Sequence, residues 1–519
     1  MILLGTLLAF SLATAGLASI ITFPSVSQDP TNASQILDRR LASFSFEFSY
    51  LPNFGGNLSN PNVLTKELMQ RLEERTGVGP DIRPGGITIL EEYIGRHSKH
   101  IPTSNPFQVE ANDLYSGPAY YESLAVFPQS SRFIVDVNLG NSSVDIAQKE
   151  IQAAVKYIGW DRIYSLELGN EPDQYAGNVR PAGWTSEDYT EQFLNWTSEL
   201  TERLDLPKKI FQAGAFAIDP TSSAPMTTVS IIEEGIDDTG VIKLFDQHTY
   251  QYSTCDPVRN AIATLPNLIN HQNITAYLDL WKPQIAAAKS RGKEFVVGEY
   301  NSVSCSGKEN VTDTFGQALW LADTILYGAS INISRMYLHQ GATLVFQSSD
   351  QSNAPGFSWY DLWYPVPTDR YGSARASPSF VAYLLVTEAV GSSGQSQLSL
   401  IDVPGEPQLA AYAIWDPAAR KDGIARLALL NLNTRNTTTS AADAAELAVT
   451  VDVSKLAGHG VVTVKKMSSP GLDSKDVDNV LWAGQAFTNG TATGIEVAER
   501  VKDNQITIAG SEAALIFFA

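Results

Sequence analysis

Between residues 43 and 391, strand-like and helix-like patterns alternate in an order that few architectures can accommodate. Short strand-like segments fall at residues 43–49, where polar and aromatic residues alternate, and at 81–83, 133–138, 163–168, 210–214, 242–250, 295–299 and 333–339. Between and after them, apolar residues recur at helical spacing over 62–76, 143–158, 185–204, 227–234, 275–291, 313–327 and 378–390. A strand that must return through a helix to a parallel neighbour builds a parallel sheet. Eight such units predict an α/β fold of the (β/α)8 TIM-barrel type, with its working face at the C-terminal strand ends.

Two of these strands run into a glutamate. In Tyr164-Ser-Leu-Glu-Leu-Gly-Asn-Glu-Pro-Asp173 the apolar run leads to Gly169-Asn170-Glu171-Pro172. Pro172 lacks an N–H and disfavours helix at Glu171, so the fourth strand is expected to stop there. In Glu294-Phe-Val-Val-Gly-Glu299-Tyr-Asn301 the seventh strand passes through a glycine to Glu299. Two carboxyl groups at one barrel mouth are what cleavage of a glycosidic bond requires, one to protonate the leaving oxygen and one to face the anomeric carbon. Asn170, beside Glu171, can donate to a sugar 2-hydroxyl. Phe245-Asp-Gln-His248-Thr-Tyr250 ends the sixth strand beside Glu299, where the Tyr250 hydroxyl can hold that carboxylate ionised. His248 and His339, at the sixth and eighth strand ends, are each a pocket residue or a packed rim histidine.

Past Gly391-Ser-Ser-Gly394 the pattern changes to short strands at 397–402, 409–415, 425–432, 447–453, 460–466 and 506–518, which read as a β-sandwich. The domain organisation is thus a signal peptide (1–21), an N-terminal segment (22–42) that can add a strand to the sandwich, the barrel (43–391) and the sandwich (392–519). Residues 1–21 are almost wholly apolar and contain Ala13-Thr14-Ala15 before Gly16, a small-residue cleavage pattern. Asn-x-Ser/Thr sequons at Asn32, Asn57, Asn141, Asn195, Asn273, Asn310, Asn332, Asn436 and Asn489 fit secretion to the extracellular space with N-glycans attached. A net charge of −20 argues against nucleic-acid or anionic-membrane partners. After signal cleavage no membrane association is expected.

The two cysteines, Cys255 and Cys305, each lie just beyond a strand, the sixth and the seventh. If those strands are neighbours, both cysteines sit at one rim, where a disulfide fits an oxidising compartment. Six scattered histidines show no ligand spacing, so neither a metal nor a cofactor is expected.

The Asn170-Glu171-Pro172, His248-x-Tyr250 and Gly298-Glu299 tips and the trailing sandwich resemble the clan A retaining glycosidases. Within these the chain resembles glycoside hydrolase family 79, the β-glucuronidase and heparanase-like family. Phe46-Glu47-Phe48 and Arg83-Pro-Gly85-Gly86 support the match. The resemblance implies Glu171 as acid/base, Glu299 as nucleophile, Glu47 and Asn170 as contacts to sugar hydroxyls and Tyr250 as the nucleophile's partner. Glu47 can equally be a structural acid capping Arg83. Family 79 binds the uronate near the seventh and eighth strand ends, which makes Ser304, Ser306, Gly307 and Tyr337 the candidates, with Lys308 and Arg335 as cations within reach. The implied substrate is a terminal β-D-glucuronide, 4-O-methylated or not. The rivals are another clan A hydrolase, endo-acting or an α-L-arabinofuranosidase, and a sugar-binding protein without activity. Trp359, Tyr360, Trp363 and Tyr364 either stack on sugar or pack the barrel on the sandwich.

Overall fold

In the computed structural model the described residues are 20–94, 114–343, 356–457, 460 and 462–518, so most of the expected signal peptide lies outside them. Eight strands form where the apolar runs fall: β1 (Ala42–Glu47), β2 (Ile82–Gly85), β3 (Phe133–Val137), β4 (Ile163–Leu168), β5 (Phe211–Phe216), β6 (Ile242–Ser253), β7 (Glu294–Ser304) and β8 (Met336–Gln340). All pair in parallel and close into a barrel of order β7-β8-β1-β2-β3-β4-β5-β6. Around them lie α1 (Val63–Thr76), α2 (Val144–Ile158), α3 (Ser186–Arg203), α4 (Thr228–Glu233), α5 (Pro257–Ile262), α6 (His271–Leu278), α7 (Lys282–Ser290), α8 (Phe315–Ser330) and α9 (Val381–Val390). Local chemistry sets their ends. Ser143 caps α2 by accepting from the Ile146 N–H, and Thr185 and Asp188 form a reciprocal capping box on α3.

The segment 275–291 does not form the single helix its periodicity predicts. It divides into α6, a 3-10 turn at Asp279–Trp281 and α7. Pro283 explains the break, because its ring meets the carbonyl four residues back, that of Asp279. Strands β6 and β7 also run further than expected, to Ser253 and Ser304, and stay paired to their ends. Tyr250 and Glu299 therefore lie within strands rather than at their tips. The extensions carry Cys255 and Cys305, which form a disulfide with a Cα–Cα distance of 6.0 Å.

The alternation in β1 has a structural meaning that a half-exposed strand would not give it. Phe44 and Phe46 face outward into an aromatic layer with Trp363, Tyr383, Phe54 and Phe127. Ser45 and Glu47 face inward, and both faces are buried. Trp363 and Tyr364 thus belong to packing. Tyr364 stacks on Tyr371 at 3.6 Å, and Trp359 lies beneath the Arg370 guanidinium at 4.5 Å.

The C-terminal domain comprises β9 (Gln397–Leu400), β10 (Leu409–Trp415), β11 (Arg426–Asn431), β12 (Val449–Asp452), β13 (Val462–Ser468), β14 (Leu481–Trp482), β15 (Gln505–Ile508) and β16 (Glu512–Phe518). The larger sheet runs β9-β10-β11-β16-β13-β14. The smaller consists of β12 between β15 and an N-terminal strand, Ile20–Thr22, which pairs in parallel with β12. The run 506–518, expected as one strand, turns a corner at Gly510 and Ser511 (φ +55°), so its halves enter different sheets. Val451, Ile506 and Ile508 pack against Leu427, Leu429 and Ile516 between the sheets, while Tyr412, Leu430 and Leu515 join the barrel's own core.

A titratable contact ties the two domains. His271 Nδ1, at the start of α6, lies 2.8 Å from Asp323 Oδ2 in α8, and the Tyr412 hydroxyl of β10 donates to Asp323 Oδ1 at 2.6 Å. Burial alone lowers the His271 pKa, but the Asp323 charge and hydrogen bond outweigh it and raise it. A raised histidine pKa stabilises the fold fully below the unfolded value of about 6.5, and that share is lost as pH rises through the folded value. His271→Asn is therefore expected to lower Tm by several degrees more at pH 5 than at pH 8, measured by calorimetry. Equal losses at both would show that the histidine is not charged in the fold.

Candidate active site

The barrel interior beneath its C-terminal mouth is polar where such barrels are usually filled by branched apolar side chains. Six strands each contribute one residue: Ser45 from β1, Arg83 from β2, Asp136 from β3, Glu167 from β4, Gln212 from β5 and Asp246 from β6, all buried. Arg83 is their centre and has no solvent contact. Its Nη1 donates to Glu299 Oε2 at 2.7 Å and to Ser45 Oγ at 3.2 Å. Its Nη2 donates to Asn170 Oδ1 at 2.8 Å and to Asp136 Oδ2 at 3.4 Å, and the guanidinium also grips Glu167. Gln212 bridges Glu167 and Asp246. One guanidinium cannot neutralise four buried carboxylates. Burial, then the Glu167 charge, raises Asp136 and Asp246 well above the usual carboxylate range.

Two glycine motifs make room for this layer. A Cβ on Gly298 would lie 2.1 Å from Asp246 Oδ2, so only glycine lets β7 pass that carboxyl, and the pairing of β7 with β6 shifts register here. A Cβ on Gly86 (φ +99°) would lie 2.7 Å from Glu47 Oε2.

Glu299 stands on this layer. Besides Arg83 it accepts from the Tyr250 hydroxyl at 2.8 Å, and His339 Nδ1 lies 3.5 Å away. Burial pushes its pKa up, but His339, His248, Arg83 and the Tyr250 hydrogen bond outweigh that and bring it down to about 2. Burial pushes His248 itself down to about 4, so above that pH the cationic partners are His339 and Arg83. His339 is held charged by Glu299 and by Glu47, against the effect of burial. Glu47 is bonded to Thr88 and lies 3.6 Å from His339 Nε2, so its partners differ from the expected cap on Arg83.

Glu171 lies three residues past the end of β4 rather than on it. Its backbone is left-handed (φ +50°, ψ +53°), a costly conformation for a glutamate, and is held by an N–H bond to the Ala215 carbonyl on β5. Asp173 anchors the same turn by accepting from the Ala217 and Ile218 N–H groups. The Glu171 side chain keeps 21% exposure to the cleft, against 8% for Glu299. Its pKa is pushed up to about 8, by burial first and then by the Glu299 charge. His248 Nδ1 lies 3.1 Å from Glu171 Oε1. One oxygen of Glu171 and one of Glu299 lie within 4.8 Å of each other.

Above the pair opens a cleft of about 870 Å³. Of the expected residues, Glu47, Glu171, Tyr250, Glu299, Ser304 and Ser306 line it, and so do His339 and Tyr360. Asn170 lies beneath, with its Nδ2 buried and without a hydrogen-bond partner among the described residues. Gly307 packs behind the wall against Trp359 and Tyr360. Tyr337 corrects a reading of the sequence. It points to the opposite end of the barrel, where its hydroxyl meets Arg335 and Asp81, because two residues along a strand, from His339 back to Tyr337, change the layer reached. Arg335 is held there too by Asp38 and Glu294, and Lys308 is tied to the Asn260 carbonyl, so neither cation lines the cleft. Missed from the sequence were Asp136, Glu167, Gln212 and Asp246, whose signal is a polar residue inside an apolar strand, and the cleft residues Asp219 and Arg259, which carry no local signal.

This fold and its paired carboxyls define a (β/α)8-barrel glycosidase. The match to known proteins is narrower. Residues 411–515 match the glycosyl hydrolase family 79 C-terminal beta domain. A β-glucuronidase of Aspergillus niger is 28% identical over 90% of this chain and 86% of its own length, and one of Neurospora crassa is 27% identical over 92% and 89%. The solved 4-O-α-L-rhamnosyl-β-D-glucuronidase of Fusarium oxysporum superposes with a TM-score of 0.78 over 96% of this chain and all of that one, at 22% identity. The chain is thus similar to glycoside hydrolase family 79 in its C-terminal domain and to fungal β-glucuronidases over most of its length.

The layer beneath the site makes a quantitative demand. Arg83→Leu leaves its carboxylate partners buried without a counter-charge, a loss expected to cost about 3–5 kcal/mol. Urea unfolding should show it, and adding Glu167→Gln should recover part. An Arg83→Leu protein as stable as the wild type would remove Arg83 from the centre of this network.

Proposed function

We propose that the enzyme removes terminal β-D-glucuronic acid with retention of configuration, using Glu171 as acid/base and Glu299 as nucleophile. The observation that carries this reading is the pair itself. Two carboxyl groups within 4.8 Å suit double displacement, for which the separation is about 5–5.5 Å, better than the wider spacing that admits a water between them. Their environments also divide the roles, one kept protonated and one kept ionised.

In the first step the Glu171 proton passes to the leaving oxygen while a Glu299 oxygen bonds the anomeric carbon and the glycosidic bond breaks. In the second step Glu171, now ionised, takes a proton from water, whose oxygen attacks the anomeric carbon and releases Glu299. Asn170 Nδ2, without a partner among the described residues, is suited to the sugar 2-hydroxyl, and Ser304 and Ser306 to the uronate. The names of the two fungal relatives support the choice of sugar over an arabinofuranoside. Secretion is supported by the apolar leader and the disulfide. Among the described residues no helix is long and apolar enough to cross a membrane. Seven sequons, at Asn32, Asn57, Asn195, Asn273, Asn310, Asn436 and Asn489, are exposed for N-glycans. Asn332, by contrast, accepts from the Gln35 N–H.

A panel of aryl glycosides varying only in the sugar, 4-O-methylglucuronide included, tests the substrate. Proton NMR at an early time point tests the stereochemistry. β-Glucuronic acid should form first, and the α anomer appearing first would exclude double displacement. Glu299→Gln is expected to fall below about a hundredth of the wild-type rate.

The acid has its own test. Free enzyme needs Glu171 protonated, so kcat/KM should fall as pH rises through about 8, well above an ordinary glutamate. Glu171→Ala should slow an alkyl glucuronide by about 10²-fold or more, and a nitrophenyl glucuronide far less, because only the poor leaving group needs the proton. Equal losses on both would remove Glu171 from that role.

A further inference from the structure

The end of β7 and the turn after it carry the two serines suited to the uronate, and a covalent bond that the chemistry does not use ties that turn to its neighbour. Ser304, Cys305 and Ser306 follow one another on the cleft wall, so the bonded cysteine stands between the two serines. Cys305, Ser306 and Gly307 are all left-handed, with φ of +60°, +68° and +77°. Two successive non-glycine residues in that region are costly, and they persist only where their surroundings impose them.

Two sets of neighbours impose this turn. From the segments after β7 and β8, the Trp359 N–H donates to the Ser306 carbonyl at 2.9 Å, and Thr312 and Tyr360 crowd Gly307, where a Cβ would lie 2.6 Å from Thr312 Oγ1. From the β6 end, Thr254 donates its N–H to the Ser304 carbonyl at 3.3 Å, and its hydroxyl to the Ser304 and Cys305 carbonyls at 3.2 and 3.0 Å. Cys255 follows Thr254 and closes the disulfide to Cys305. The Cys255 side is itself fixed. Asp256 caps α5 by accepting from the Val258 and Arg259 N–H groups, and the Arg259 guanidinium donates to the Tyr250 carbonyl. The Tyr250 hydroxyl in turn holds Glu299. The disulfide therefore couples the serine-bearing turn to the strand that carries the nucleophile's partner.

We infer that the Cys255–Cys305 disulfide is a positioning device for substrate recognition: it fixes the turn that presents Ser304 and Ser306 to the sugar carboxylate, and opening it weakens the binding of acidic glycosides while the chemistry at Glu171 and Glu299 stays in place. The inference rests on the reading of the substrate as a glucuronide held at these serines. A carboxylate is recognised by donors fixed in the right directions. Lys308 and Arg335, the cations expected near this wall, do not line the cleft, so the alignment of the turn matters the more. Lost alignment at a group remote from the reacting bond is lost uniform binding, which raises KM and spares kcat. Cys255 is exposed, so a reductant reaches the bond in the folded protein.

The test opens the bond in two ways, by Cys255→Ser together with Cys305→Ser, and by phosphine reduction of the wild type, with alkylation and intact mass counting the thiols released. In both forms KM for nitrophenyl β-glucuronide should rise at least about tenfold with kcat within about threefold, and reoxidation of the reduced wild type should restore KM. Competitive inhibition by phenyl 1-thio-β-glucuronide should weaken to the same degree, and inhibition by its uncharged methyl ester far less. An unchanged KM in the opened forms overturns the inference. Equal weakening of acid and ester does so too, because the bond would then support the cleft in general rather than the recognition of charge. If the doubly substituted chain does not fold, Thr254→Val decides, since it removes the hydroxyl that holds the same turn and keeps the disulfide. KM raised severalfold at unchanged kcat supports the inference, and an unchanged KM overturns it. A wild type that cleaves glucuronides with the same KM open and closed fails this inference alone. A wild type that cleaves no glucuronide fails the underlying reading, and this inference falls with it.

Discussion

The Arg83 guanidinium is the interaction on which the barrel's mouth depends. Its donors reach Glu299, Asn170, Glu167, Asp136 and Ser45, residues carried by β1, β3, β4, β7 and the β4 turn. A lysine could not serve as well, because a single ammonium has no rigid fork with which to address several acceptors in different directions. The arrangement fixes Glu299 relative to Asn170 through one planar group. It also explains the chain's glycine-rich signatures: Gly86 yields space to Glu47 and Gly298 to Asp246, so that both carboxyls can approach.

From that layer follows the difference between the two glutamates. Glu299 is surrounded by donors and cations, which bring its pKa down, whereas burial and the Glu167 charge push those of Asp136 and Asp246 up. Glu171 is placed on a strained turn above, without a cation of its own, and feels burial and the Glu299 charge together. Placement on a left-handed residue past the strand end, rather than on the strand, is what separates the two environments across so short a distance. The strain is held by bonds from the next strand's loop, through Ala215, Ala217 and Ile218.

The barrel was legible in the sequence because most of its eight strands are short apolar segments set between amphipathic helices, and periodicity reports burial. Glu171, Glu299 and Tyr250 were legible because turn and strand chemistry around them is local: Pro172, Gly298 and the aromatic-rich sixth strand. Pro283 and the Gly510 corner were also visible as residues, but whether a proline kinks or ends a helix, and which sheet a strand joins, is decided by packing. Tyr337 shows the limit of counting along a strand. The alternation says that it faces inward, but the layer it reaches depends on strand tilt and stagger, which no local pattern carries. Asp219, on a loop, and Arg259, on α5, lie 40 positions apart, and only barrel closure brings them to one wall.

The chain's acidity sharpens the problem that the site must solve. A protein of charge −20 repels a uronide at long range, yet at physiological ionic strength the screening length is about 8 Å, so the surface charge contributes little inside the cleft. What the substrate meets is the local balance. Glu171, with its pKa pushed up to about 8, keeps a proton at neutral pH, and Arg83 and His339 lie against the Glu299 charge. On the proposed reading, the same proton on Glu171 that the chemistry would consume is part of what would let an anionic sugar enter. Loss of that proton at higher pH acts twice, on binding and on leaving-group protonation, so the two cannot be separated by moving one carboxyl without the other.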